Sequence, residues 1–179
     1  MPDAPVYPYQ RGNYYAIMPI PAVAEHCIGV DAGPLRLVVE SRSLTNEILL
    51  SELPPGSVEL ADDVTFDDFG ASLHVCDARE GLEHLRFDCF ENEPHYHYIN
   101  QGAGGNLICR IDEVAEGDPI EWTLGRLRHR LPEMLESCGN PELARATRDD
   151  LPSVLAAVDE VATLLQQARL SAHHARHGE

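Results

Sequence analysis

The sequence predicts an α+β fold, an antiparallel β-meander over about residues 26–112 followed by C-terminal amphipathic helices. Two observations carry this. Up to Asp112 the chain reads as short, alternating, strand-like runs separated by turn formers; beyond it, apolar residues recur at helical spacing. A third bounds it: 179 residues with 44% hydrophobic and 24% charged content suit one ordinary globular domain that needs neither disulfide nor metal to fold.

Residues 1–25 form a proline- and tyrosine-rich lead-in, with Tyr7, Tyr9, Tyr14 and Tyr15 able to lie against the body or a partner. An antiparallel β domain is expected over 26–115. His26–Asp31 and Leu35–Glu40 flank Ala32-Gly33-Pro34 and predict a first hairpin. Strand signals at Ile48–Leu50 and Ser57–Leu60 flank Pro54-Pro55-Gly56, and the acidic stretch Asp62–Gly70 reads as a surface connection. Strands follow at Ser72–Cys76, Glu83–Phe90, His95–Ile99 and Leu107–Ile111, joined by short polar or glycine-rich loops.

A helical segment over 119–172 is expected to pack on the sheet or on a partner. Ile120, Leu124, Leu127, Leu131, Leu135 and Cys138 keep helical spacing, Pro132 predicts a kink or a split, and Gly139-Asn140-Pro141 a stop. A last helix starts at Asp149-Asp150 with Pro152 in its first turn, and Val154, Val158, Val161, Leu165 and Ala168 form a heptad-like seam. Residues 173–179 read as a frayed tail.

Charge excludes several functions. Thirteen basic residues face thirty acidic ones, a net charge of −17, which disfavours nucleic acid and anionic membranes as partners. All thirteen are arginine, so Schiff-base, lysine-base and P-loop chemistries are absent. Five cysteines without CxxC spacing indicate neither a disulfide framework nor structural zinc. No signal-peptide pattern and no long apolar span is evident, so the cytoplasm is the expected location.

The run Leu85-RFDCFENEPHYHYI-Asn100 concentrates the chemistry. With a short loop at Glu91–Pro94, Phe90 opposes His95, Asp88 opposes His97 and Arg86 opposes Ile99; Arg110 then falls beside His97. One face holds Leu73, Val75, Leu85, Phe87, Cys89, Tyr96, Tyr98, Leu107, Cys109 and Ile111, a core face. The other collects His74, His84, Arg86, Asp88, His95, His97 and Arg110, and a one-residue bulge would exchange faces. Three readings of that polar face compete. It is an exposed surface of cross-strand ion pairs, a divalent-metal site with His95, His97 and His74 as candidate ligands, or a metal-free pocket. In the last, Asp88, Arg86 and Arg110 bind an anion and histidine moves a proton.

Two resemblances follow. His95-x-His97 with Gln101 resembles the first motif of cupins, which implies a metal-binding β-barrel; glutamine stands where that family has glutamate, and no second histidine motif follows. LRFDCFENEPHYHY, with Ser72–Cys76 and the segment after Trp122, resembles an uncharacterised bacterial family of unknown function over about residues 70–135, implying a shared fold without an activity.

Other motifs have blander readings. Gln101–Asn106 is a hairpin loop rather than a phosphate cradle, Arg126 and Arg130 pair with the chain's own carboxylates or else offer a docking site for an anionic ligand or a partner, and His173, His174 and His177 lie in a solvated tail. Two function classes survive: a protein, enzymatic or not, binding a metal or small anion on the polar sheet face, and a non-catalytic accessory subunit. The second would dock, or self-associate, through the lead-in and the 151–170 helix.

Overall fold

The computed structural model describes residues 11–53, 55 and 65–178. Among the described residues, seven antiparallel strands form one open sheet: β1 (Asn13–Tyr15), β2 (Cys27–Ala32), β3 (Leu35–Thr45), β4 (Asp67–Asp77), β5 (Glu83–Phe90), β6 (His95–Asn100) and β7 (Gly105–Arg110). The spatial order β1-β7-β6-β5-β4-β3-β2 is a meander from β2 to β7, with β1 added outside β7. The helices are α1 (Asn46–Glu52), α2 (Glu113–Glu116), α3 (Pro119–His129), α4 (Leu131–Ser137), α5 (Pro141–Asp149) and α6 (Leu151–His177). This is the expected α+β arrangement. The sheet does not close, so the barrel implied by the cupin-like motif is not formed.

The helical boundaries follow local chemistry. Asp118 accepts from the Ile120 and Glu121 amides and Pro119 occupies the first turn, starting α3. Pro132 has no amide proton, so the predicted long helix divides at Arg130 into α3 and α4. Gly139 takes φ +84°, and Asn140 then caps α5 through the Leu143 amide. The α3 and α4 helices pack on β5, α4 also on β6, and α6 crosses β2, β3 and β4.

The core lies between the helices and one sheet face. Leu37, Val39, Leu73, Val75, Leu85 and Phe87 meet Ile120, Leu124, Leu127, Leu131 and Leu135 of α3 and α4 and the α6 seam Val154, Val158, Val161 and Leu165, all buried. The heptad-like seam is therefore spent on the chain's own sheet. The α6 helix also runs on through His177, where His173 and His177 pack edge-on against Phe69, so the expected tail is helical.

Other expectations change. Ile48–Leu50 is helical rather than extended, because Thr45 caps α1 through the Ile48 amide; three apolar residues cannot by themselves distinguish the two. Asp67–Gly70 opens β4 instead of continuing a surface connection, while Ser57–Leu60, Asp62–Val64, Tyr7 and Tyr9 lie outside the described residues. Among the described residues no helix is long and apolar enough to cross a membrane.

The second sheet face is polar yet buried. Residues 17–23 of the lead-in run across it and are held by side chains of β3, β5 and β7. Arg42 and Arg86 both donate to the Ile20 carbonyl, at 3.0 and 2.8 Å; Asn106 donates to the Ile17 carbonyl at 2.8 Å; Glu40 accepts from the Val23 amide at 2.8 Å. A segment without periodicity thus becomes a strap fixed by its main-chain polar groups.

Candidate metal centre

Both faces of the hairpin are those expected, but its pairs differ. Asp88 opposes His95 and Arg86 opposes His97; on the other side His95 opposes Arg110. The shift is two residues, which preserves every face. Its cause lies on β4. The buried Asp68 carboxylate accepts from the Asn92 and Glu93 amides at 3.1 and 2.8 Å, and Glu91 donates to the Phe69 carbonyl. The end of β5 is drawn towards β4 and leaves β6 two residues early.

A bulge makes one exchange of faces. Val75 pairs with Leu85 but Cys76 with Glu83, so His84 is the extra residue. His84 turns towards the helices, near Asp77 and Asn140, with its carbonyl accepting from the Cys138 thiol. Glu83 takes its place on the polar face.

Two groups of charges occupy that face. In the first, His74 lies between Glu83 Oε1 at 2.7 Å and Glu40 Oε2 at 3.1 Å. Arg86 grips Glu83 through Nε and Nη2 at 2.8 and 2.7 Å, and Arg42 holds Glu40 at 2.6 Å. Burial alone would keep His74 neutral, but its bonds to Glu40 and Glu83 outweigh burial and raise its pKa. Burial likewise works against ionised Glu83, and the Arg86 guanidinium overcomes it, bringing the carboxyl to about 2. Each glutamate has an arginine and the imidazolium, and Arg42 Nε is left buried without a hydrogen-bond partner.

The second group is Asp88, His95 and His97, whose ligand atoms all lie within 4.8 Å of one another. Asp88 Oδ2 is 3.0 Å from His97 Nε2 and 3.3 Å from His95 Nε2, while Oδ1 accepts from the buried Ser72 hydroxyl. Two ligand atoms each ~2.1 Å from one ion are roughly 3.0–3.4 Å apart at octahedral to tetrahedral angles, so both separations match a shared ion.

The hydrogen bonds behind the rings set their tautomers. His95 Nδ1 lies 2.7 Å from the Glu93 carbonyl, which can only accept, so Nδ1 carries hydrogen. His97 Nδ1 lies 2.8 Å from Asn106 Oδ1, and the Asn106 amide group is oriented by its bond to the Ile17 carbonyl, so this nitrogen also donates. When neutral, both rings therefore turn bare Nε2 lone pairs on one carboxylate oxygen. Burial dominates at His97 and lowers its pKa, leaving it neutral. At His95 the Asp88 hydrogen bond overcomes burial and raises the pKa, and at Asp88 the hydrogen bond from His95 overcomes burial and holds the carboxyl well below its usual range. One of the two imidazoles thus presents a lone pair to an anion.

Of the residues singled out in the sequence, Asp88, His95 and His97 are brought together. His74 is held in the neighbouring glutamate pair, Arg86 binds Glu83 and the strap, and Arg110 is exposed and paired with Glu93. Glu40, Arg42, Glu83, Ser72 and Asn106 were not foreseen. Glu40 and Arg42 did carry a signal, alternating with Val38 and Leu44 on one face of β3. A two-histidine, one-carboxylate set with further positions open suits a divalent transition ion that polarises a bound water, carbonyl or oxygen species.

No curated protein and no solved structure matches the chain. A family profile does, over residues 29–165, a span that runs from within β2 to within α6 and includes Asp88, His95, His97, Ser72 and Asn106. With that much of its length matched, the chain belongs to DUF7700, a family defined by a domain of unknown function.

Proposed function

We propose that this protein binds one divalent transition-metal ion through Asp88 Oδ2, His95 Nε2 and His97 Nε2. The observation that carries the reading is the convergence of two imidazole Nε2 atoms on one carboxylate oxygen, each ring held by an acceptor behind its Nδ1. Metal-bound histidines are commonly oriented in this way by a carbonyl or amide on the other nitrogen. Ser72 performs the same task for the carboxylate.

The experiment is elemental analysis of untagged protein, followed by titration of the stripped protein with Zn²⁺, Fe²⁺ and Co²⁺. One equivalent is expected in the wild type and in a His173→Ala/His177→Ala control, and none in Asp88→Asn, His95→Ala or His97→Ala variants that keep the wild-type circular dichroism. A stripped wild type that takes up no ion at ~100 μM, or ligand variants that bind as tightly as wild type, overturns the proposal.

A further inference from the structure

The strand that sends His95 and His97 to one face sends Tyr96 and Tyr98 to the other, where the helices do not cover the sheet as far as β7. There a cleft of about 440 Å³ is lined by Arg11, Tyr96, Tyr98, Trp122, Arg126, Arg130 and Glu133, among others. Its size falls in the range of small-molecule sites. We infer that this cleft binds an aromatic oxyanion, the ring against Tyr96, Tyr98 and Trp122 and the anionic group between Arg11, Arg126 and Arg130.

Charge is the first argument. The chain carries −17 overall, yet three guanidiniums face one carboxylate here. Most arginines pair with a carboxylate; among the described residues Arg11 and Arg130, like the exposed Arg79 and Arg145, have none within 4.0 Å. Arg126 reaches Glu116 only at 3.9 Å, and its Nε is buried without a hydrogen-bond partner. Planar donors left unpaired in a cleft suit a carboxylate or a phosphate.

The aromatic wall is the second. Tyr96 lies 5.1 Å from Trp122 and 5.5 Å from Tyr98 by ring centroids, and the Arg126 guanidinium stacks over Trp122 at 4.8 Å. Arg11 is placed by its neighbour: a Cβ on Gly12 would lie 2.0 Å from the Ile108 carbonyl oxygen, so only glycine lets the chain run this close to β7. The inference is independent of the metal centre, which faces the opposite side of the sheet.

Trp122 is the single tryptophan in the chain, so its fluorescence reports this cleft. Phenyl phosphate, benzoate and adenosine monophosphate would be titrated into the wild-type protein, with inorganic phosphate and phenol as half-ligands and calorimetry in parallel. Saturable binding of at least one ring-bearing anion is expected, about tenfold tighter than either half-ligand. The Arg11→Gln/Arg130→Gln variant should lose at least tenfold in affinity with its circular dichroism unchanged. Which ring-bearing anion binds distinguishes an aryl acid from a nucleotide source. No saturable signal by either method up to roughly 10 mM overturns the inference. So does inorganic phosphate binding as tightly as phenyl phosphate, or unchanged affinity in the double variant.

Discussion

Replacing Arg86 by methionine tests whether the strap and the polar face form one coupled unit. The side chain is 2% exposed and makes three contacts: two to Glu83 at 2.8 and 2.7 Å, and one to the Ile20 carbonyl at 2.8 Å. Methionine keeps most of the volume but leaves Glu83 with His74 as its one cationic partner. Breaking a buried pair costs about 3–5 kcal/mol, and the residual exposure of Glu83 places this one near the lower end. At a urea slope of about 2 kcal/mol/M, the unfolding midpoint should fall by about 1.5 M. Glu83→Gln alone leaves Arg86 buried without its carboxylate and should cost about 2 kcal/mol. The double variant removes both charges and should be more stable than the sum of single effects predicts, by about 2 kcal/mol. Equilibrium urea unfolding of all four proteins at pH 7 measures this cycle. Additivity within ~0.5 kcal/mol would refute the coupling and with it the account of how the strap is fixed.

Three further outcomes are expected. Asn106→Leu leaves all three proposed ligands in place but removes the acceptor behind His97 Nδ1, so metal affinity in a chelator competition should fall about 10–100-fold. The pH dependence of unfolding has two limbs. Glu83, lowered from 4.5 to about 2, contributes stability present above pH 4.5 and lost as pH falls towards 2; His74, raised above 6.5, contributes stability present below pH 6.5 and lost as pH rises through its folded value. Glu83→Gln should flatten the acid limb and His74→Gln the alkaline one. Leu165→Ala, at a fully buried seam position, should cost about 2–5 kcal/mol independently of protein concentration, whereas Leu170→Ala, 58% exposed, should stay within ~0.5 kcal/mol; thermal scans at two concentrations check both.

The faces of the sheet were legible in the sequence because side-chain alternation has period two and survives a two-residue slip. The pairs were not. The register of β5 on β6 is set by Asp68, which lies 24 residues before Asn92 and belongs to a stretch that reads as an acidic connection. The bulge at His84 was equally hidden: Glu83 and His84 are both polar, and nothing local says which turns towards Cys138. The helical half was easier, since Pro132, Asn140 and Pro152 punctuate it through their own backbone chemistry. The seam's spacing announced burial without naming what it would be buried against. Least legible was the strap, because its contacts run through carbonyls of Ile17, Ile20 and Pro21, which every sequence possesses.

Within the face itself, the two groups of charges differ in a way that supports the proposed metal centre over a merely structural role. A buried ion-pair network is seldom the most stable filling, and apolar residues of similar volume often do better. Where this network is structural, every carboxylate has a guanidinium: Glu40 has Arg42 and His74, Glu83 has Arg86 and His74, and the arginines reach on to the strap, although Arg42 Nε is left buried without a partner. Asp88 is treated differently. It is 1% exposed, and its ion-pair partners are two imidazoles and no guanidinium. Both imidazoles are tied by Nδ1 to acceptors, so whichever ring is neutral offers it a lone pair in place of a proton. An arginine or a third hydrogen-bond donor would have satisfied the carboxylate as on the neighbouring strands. With His97 neutral, one bare nitrogen faces the carboxylate oxygen, an unfavourable contact that a proton on His95 eases and that the proposed cation would relieve.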